Sequence, residues 1–446
     1  MLDEQIEEVK QAAARQGGPS AQRGASTAGA GALVTTAKST CHFREVLDEK
    51  TGEIQRFRFD PKRREYLPVS DPLSASSEAR NSRYMLQSSS RKLLANARVG
   101  KCMRHITGGG EVSILRSVEN AKAHYSGLQT CGSVWVCPVC AAKISERRKL
   151  ELRGVIDTHL AAGGGVEMLT LTFPHVRNDV LKKLLDQLRD ALRRFKMHRS
   201  YKKARALVPA AQRYSPKVDQ DQVIGTIRAL ETTWGEANGW HPHIHEIWLF
   251  RKPLTLAQRE ELRKVLFSAW SVVCVNAGFP APNRKRGVHV QPASAAADYV
   301  AKWGAEPRWE AASELTKANS KKSKSKKGRT PFDLLRDYAE GDSRAGALFA
   351  EYAEAFHGYR QLFWSKGLKA LFGIVDLTDE ELAAQQEDHA HEITRITKAD
   401  WKLILGLSYE ARGLLLSLAE NGGHEAVAVF VDGIRPKPGA LDFDIF

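Results

Sequence analysis

Three histidines stand at alternate positions of one five-residue stretch, His241-Pro242-His243-Ile244-His245, between Trp240 and the apolar run ending at Phe250. Side chains alternate faces along a strand, so the three imidazoles are expected on one face, successive ones ~6.7 Å apart along the chain. Two imidazoles at that spacing can converge on one divalent ion. The flanks also predict the fold around them. Val223–Trp234 and Trp240–Phe250 read as strands and GEANG (235–239) as the turn of a hairpin. If Trp234 opposes Trp240, paired positions sum to 474 and Glu231 falls opposite His243, with Cβ atoms ~4.5–5.5 Å apart. That makes a two-histidine, one-carboxylate set with positions left open for water or phosphate. His241 is a further candidate ligand. A one-residue slip would instead turn Glu231 away, to pair with a basic residue in the sheet.

The neighbouring segments complete an α+β pattern. Val166–Phe173 reads as a strand ending at Pro174, and Asn178–His198 as an amphipathic helix with Asn178 as N-cap. Thr255–Ala277 reads as a long helix capped by Thr255, Val288–Gln291 as a short strand and Ser294–Trp303 as a short helix. The order β-α-β-β-α-β-α predicts helices against a mostly antiparallel sheet. On the last helix Tyr299 and Lys302 are i and i+3 and share a face. A tyrosine hydroxyl is a poor nucleophile at its ordinary pKa of ~10; a nearby ammonium and a metal-polarised phosphate would make it a competent one. Alone, such a pair is more often packing; its weight comes from the histidine strand.

Upstream, Cys131, Cys137 and Cys140 surround a Cys-Pro-Val-Cys knuckle, with Cys102 as the natural fourth thiolate and His105 as its competitor. Four thiolates make a coordinatively closed set, which implies a structural rather than a catalytic zinc. Cys41 and Cys274 have no such partners. In a chain with no readable secretory signal, disulfides are not expected.

Composition divides the 446 residues. Residues 1–40, rich in Ala, Gly, Ser and Gln, read as disordered; 41–85 are mixed and polar with a hairpin near Phe43–Phe59; and 86–160 form a basic, cysteine-rich zinc-binding subdomain opening on SSSRKLLANARVGK. The histidine domain takes 161–305, and 306–330 is a basic linker whose Lys321, Lys322, Lys324, Lys326 and Lys327 are candidate DNA contacts. Residues 331–446 read as mainly helical. From Gly373 onward that part holds 14 acidic residues against 6 Lys or Arg, a local net of −8, so with +15 overall the rest carries +23. Such a body favours polyanionic partners, nucleic acid above all. No apolar run reaches the ~18–20 residues of a membrane span, which excludes an integral membrane protein of helical type. A cytoplasmic protein is expected.

In order along the chain, MLTLTF (168–173), HPHIH (241–245) and DYVAKW (298–303) resemble the three motifs of the HUH endonuclease superfamily, specifically plasmid rolling-circle replication initiators. The cysteine cluster followed by AAKISERR and the stretch RQLFWSKGLKALFG (360–373) are also similar to members of that family, so the resemblance spans roughly 90–373. It implies an antiparallel sheet carrying the histidine pair on a central strand and the tyrosine on an adjacent helix. It implies a nickase and strand transferase in which Tyr299 attacks the scissile phosphate and keeps the 5′ end, leaving a 3′ hydroxyl to prime replication. His243 and His245 would bind Mg²⁺ or Mn²⁺ with Glu231 as third ligand, and Lys302 would orient the phosphate or stabilise the phenolate. The expected partners are single-stranded and origin DNA; a host helicase and a second copy of the chain stay open. Single-tyrosine initiators often carry a Glu four residues before the tyrosine to activate water for termination; here that residue is Ala295. Transposases and relaxases share the chemistry. Two other classes compete: a histidine-triad nucleotide hydrolase with His243 as nucleophile, and a non-catalytic zinc-stabilised DNA-binding regulator.

Overall fold

The computed structural model describes residues 43–436 apart from 48–53, 61–64, 70–71, 109, 120, 208–221, 303–327 and 386–388. The segment read as disordered, Cys41 and the Lys321–Lys327 run therefore lie outside the described residues.

Eleven strands form three antiparallel sheets among the described residues. β1 (Phe43–Leu47), β2 (Ile54–Asp60) and β3 (Glu65–Val69) form a meander, which includes the hairpin expected near Phe43–Phe59. β4 (Glu111–Ser117) and β5 (Ala123–Ser126) form a second sheet. The central five-stranded sheet takes β6 (Gly165–Leu171), β7 (Val223–Gly235), β8 (Gly239–Phe250), β9 (Val288–Pro292) and β10 (Leu362–Trp364) in the order β10-β7-β8-β6-β9, and β11 (Ala390–Thr397) closes the second sheet beside β4. The C-terminal region is mainly helical, as read, yet it supplies both β10 and β11. Neither strand shows in the sequence, because one is three residues long and the other alternates with exposed polar residues.

The helices are α1 (Pro72–Leu93), α2 (Pro138–Ala161), α3 (Leu181–Met197), α4 (Arg199–Arg205), α5 (Leu256–Asn276), α6 (Ala293–Lys302), α7 (Pro331–Ala339), α8 (Ser343–Ala355), α9 (Leu368–Leu371), α10 (Asp379–Ala384), α11 (Lys398–Gly406) and α12 (Glu410–Ile434), the last broken at Gly423. They cover the central sheet on both faces. On one face, Leu230, Trp234, Trp240, Ile244, Trp248 and Phe250 pack against α3, α5 and α8 in the largest core. On the other, Ile227, Ala229, Ile247 and Leu249 meet Leu152, Val155 and Ile156 of α2 and Ala296 and Val300 of α6. β8 is therefore central and buried on both sides, and its odd-numbered positions point toward α2 and α6.

Local signals explain most of these boundaries. Thr255 caps α5 through a reciprocal capping box with Gln258, as expected. Asn178 does not cap α3, a correction to the sequence reading. Asp179 accepts the Val176 N–H and closes a turn there, so α3 starts at Leu181. Its first N–H is satisfied from a distance, by Glu351 Oε1 of α8 at 3.1 Å, while Glu351 Oε2 accepts from buried Trp240 Nε1 at 3.0 Å. α1 begins well before the basic stretch read as its start. Its buried positions mix Tyr84 and Leu86 with Arg80, Gln87, Ser89 and Ser90, so the apolar period is interrupted by polar residues.

Glu351 thus ties a helix terminus and the hairpin base to α8. Glu351→Ala is expected to cost about 2 kcal/mol, from the lost helix cap and the stranded indole N–H, read as a lower midpoint in denaturant unfolding followed by circular dichroism.

Candidate metal and tyrosine site

The hairpin register is the one the sequence arithmetic requires. Trp234 pairs with Trp240, Glu231 with His243 and Ala229 with His245. The turn closes through Gly239, whose φ of +71° only glycine adopts without strain and where a Cβ would strike the Arg177 carbonyl. Glu231, His243 and His245 offer ligand atoms that all lie within 4.8 Å of one another. Glu231 Oε2 sits 3.5 Å from His243 Nε2 and 3.8 Å from His245 Nε2.

The outer nitrogens of the two imidazoles are held from behind. His243 Nδ1 lies 3.1 Å from the His241 carbonyl, which can only accept, so Nδ1 carries a proton and Nε2 is the atom left to bind a cation when the ring is neutral. His245 Nδ1 is 3.1 Å from Thr170 Oγ1 on β6, where Thr170 pairs with His245 across the ladder. Both Nε2 atoms thus face Glu231, and such outer partners on the Nδ1 side of metal-binding imidazoles typically strengthen metal binding by ~10–100-fold.

His241 is not brought into this group. Its Nδ1 lies 2.7 Å from His175 Nε2, and His175 Nδ1 in turn bonds the Asn238 carbonyl at 3.0 Å. The carbonyl fixes the His175 proton on Nδ1, so His175 Nε2 accepts and His241 donates. His175 was not singled out in the sequence; nothing in its surroundings shows that the loop after β6 returns to the hairpin turn.

α6 delivers Tyr299 to the same place. Its hydroxyl donates to Glu231 Oε1 at 2.5 Å, and its ring centroid is 4.8 Å from that of His245. Glu231 thus turns one oxygen to the imidazoles and the other to the phenol. Lys302 lies on the same helix; its side chain is outside the described residues. Ala295 sits in the first turn of α6.

Charge at the site follows from burial and these contacts. Burial would raise the Glu231 carboxyl, but the His243 hydrogen bond, the two imidazoles and the Tyr299 hydroxyl outweigh it and hold it below the usual carboxylate range. Burial works against the His243 cation, and Glu231 overcomes it and raises that imidazole. Burial brings His245 down to about 4, against the pull of Glu231. Burial and then Glu231 push the Tyr299 phenol well above its ordinary value. Without a cation the tyrosine is thus a neutral hydrogen-bond donor held on a carboxylate.

The four predicted thiols also meet. Cys102 Sγ is 3.6 Å from Cys137 and 3.5 Å from Cys140, and Cys131 Sγ is 3.7 Å from Cys140. All four are buried and none is disulfide-bonded. A tetrahedron of ~2.3 Å zinc–sulfur bonds sets sulfurs ~3.8 Å apart, so the set fits that ion. His105 is exposed and outside the group. Cys137 is the N-cap of α2 with Pro138 at the first helical position, and Gln87 Nε2 of α1 donates to its sulfur at 3.4 Å. The cluster therefore pins the start of the helix whose middle covers the histidine face. Cys274 is buried in α5 with its thiol pushed up by burial alone.

No described helix is long and apolar enough to cross a membrane. No protein-family model matches the chain, and no solved structure is significantly similar to it. Among curated proteins, the chain is similar to "Protein rep" of Streptomyces lividans, 27% identical over 363 residues, which cover 68% of this chain and 78% of that one. It is also similar to a neomycin resistance protein of Streptomyces cyanogenus, 35% identical over 134 residues, 28% of this chain and 31% of the other. The chain is thus related at moderate identity to a Rep protein, over two thirds of its length.

Proposed function

We propose that the chain initiates rolling-circle replication as a metal-dependent, site-specific single-strand DNA nickase and strand transferase with Tyr299 as nucleophile. The observation that carries this reading is the Tyr299–Glu231 hydrogen bond, 2.5 Å, beside two imidazoles whose Nε2 atoms face the same carboxylate. Its similarity to "Protein rep" of Streptomyces lividans supports a replication role. A chain of net charge +15 and pI about 9.5 suits a DNA substrate.

In this reading Glu231, His243 and His245 would hold Mg²⁺ or Mn²⁺. A divalent ion there would polarise the scissile phosphate and offset its negative charge. Tyr299 attacks phosphorus; the Tyr299 Oη–P bond forms as the P–O3′ bond breaks, and the leaving 3′ oxygen takes up a proton. Glu231 Oε1 receives the phenolic proton over the existing hydrogen bond and then holds the 5′-phosphotyrosine side of the site in place. Lys302, the last residue of the tyrosine helix, is the cation this reading assigns to the phosphate or the phenolate. The histidine-triad alternative has no role for a carboxylate and a tyrosine on the middle histidine's lone-pair side, and the regulator alternative has none for Tyr299. Transposases and relaxases would use the same atoms. The cysteine set is proposed to hold a structural zinc, and single-stranded origin DNA is the proposed partner.

Purified protein mixed with labelled single-stranded DNA from its own replicon and Mn²⁺ is expected to give a covalent protein–DNA band on a denaturing gel. Tyr299→Phe should abolish it and chelation of Mn²⁺ should prevent it. A band retained by Tyr299→Phe would sink the assignment. For the cysteine set, elemental analysis is expected to find one tightly held zinc per chain, lost in Cys140→Ser together with a clear drop in thermal midpoint, because structural zinc binding is coupled to folding. Full stability of a zinc-free Cys140→Ser protein would contradict it.

A further inference from the structure

Away from the histidine face, three guanidinium groups converge on a cavity of about 120 Å³ between α1, the turn that carries Cys102 and the junction of α11 with α12. They belong to Arg91, Arg104 and Arg412, with Ser88 and Ser408 offering hydroxyls and Leu405 an apolar wall. No carboxylate lines the cavity, and none among the described residues pairs with any of the three. Arg412 is fixed in place: only 3% exposed, it donates to Gln87 Oε1 at 3.0 Å and lies over the Tyr84 ring at 4.4 Å. Nη1 of Arg91 is buried with no hydrogen-bond partner.

Such a cluster is costly as it stands. Burial, then the charges of Arg104 and Arg412, bring Arg91 down to about 10, and burial with Arg412 lowers Arg104. Three like charges around a small polar cavity repel one another, and a buried donor without an acceptor carries its desolvation cost uncompensated. An oxyanion in the cavity removes both penalties. Three guanidiniums and two hydroxyls line the cavity, an all-donor set that suits an oxyanion with several acceptor oxygens, as a phosphate is. Charge balance for the cysteine cluster accounts for Arg412 alone, through Gln87, which bridges it to Cys137. Arg91 and Arg104 have no such link.

We propose that Arg91, Arg104 and Arg412 form a phosphate-binding pocket, separate from the Glu231–His243–His245 site, that takes one phosphate group. The group could come from a DNA backbone or from a free phosphate. The assignment does not depend on the nicking chemistry.

The full chain with its cysteine cluster intact is heated in inorganic phosphate and in chloride at matched ionic strength. Phosphate is expected to raise the thermal midpoint of the wild type by mass action, and to leave that of an Arg91→Gln/Arg104→Gln double variant unchanged. Ser408→Glu, which places a carboxylate beside the guanidiniums, should lose the phosphate response and melt higher in chloride; it gives an answer even if the double variant fails to fold. Binding of a short DNA strand without added divalent metal then separates the sources. A slope of log K against log salt reduced by about one in the double variant assigns the pocket to a backbone phosphate, and an unchanged slope with a lost phosphate response assigns it to free phosphate. Wild type and both variants alike in phosphate response and in salt slope would overturn the proposal.

Discussion

The site proposed for nicking rests on one cross-strand pair, Glu231 opposite His243. The carboxylate is useful because the ladder sets it against the two imidazoles with one oxygen and leaves the other for the tyrosine. A shift of one residue between β7 and β8 would turn Glu231 into the apolar core now filled by Trp234 and Leu230, and would turn those side chains to the histidine face. The register is therefore held by the core rather than by the site. Trp234, Trp240, Ile244 and Trp248 lock one face of the hairpin against α3, α5 and α8, and the histidines on the opposite face inherit their alignment.

A second constraint is the route by which Tyr299 reaches that carboxylate. α6 follows β9, which pairs with β6, which pairs with β8, so two ladders separate the tyrosine from the histidines in connectivity but not in space. α2 closes the same face, and its first turn is tied into the cysteine cluster. In consequence, the cysteine cluster bears on the site through packing and not through chemistry: it fixes where α2 begins, and α2 covers the sheet face from which His243 and His245 project.

Much of this was legible in the residues. The spacing of the histidines, a turn rich in Gly and Asn, and a Trp on each side of that turn determine a register by counting alone. Four cysteines with a Cys-Pro-Val-Cys knuckle announce their own convergence. What the sequence hid are features that depend on distant partners. His175 captures His241 and removes it from the candidate ligands, a contact set by the return of the loop after β6. Glu351 takes the capping role assigned to Asn178 from 170 positions away in sequence. α1 buries Arg80 and Gln87 against Glu420 and Arg412 of α12, so polar residues interrupt the apolar period that Tyr84 and Leu86 begin on its inner face. β10 and β11 are too short or too polar to register, although β10 completes the central sheet.

The central claim is that Glu231, His243 and His245 form the cation site while His241 does not. Diffraction from crystals grown with Mn²⁺, with anomalous data collected at the manganese edge, tests it most directly. The account predicts a single strong peak bonded to Glu231 Oε2, His243 Nε2 and His245 Nε2, with the His175–His241 hydrogen bond intact and Tyr299 Oη still beside Glu231. A peak on His241 and His175, or no manganese among the three proposed ligands at saturating concentration, would contradict it.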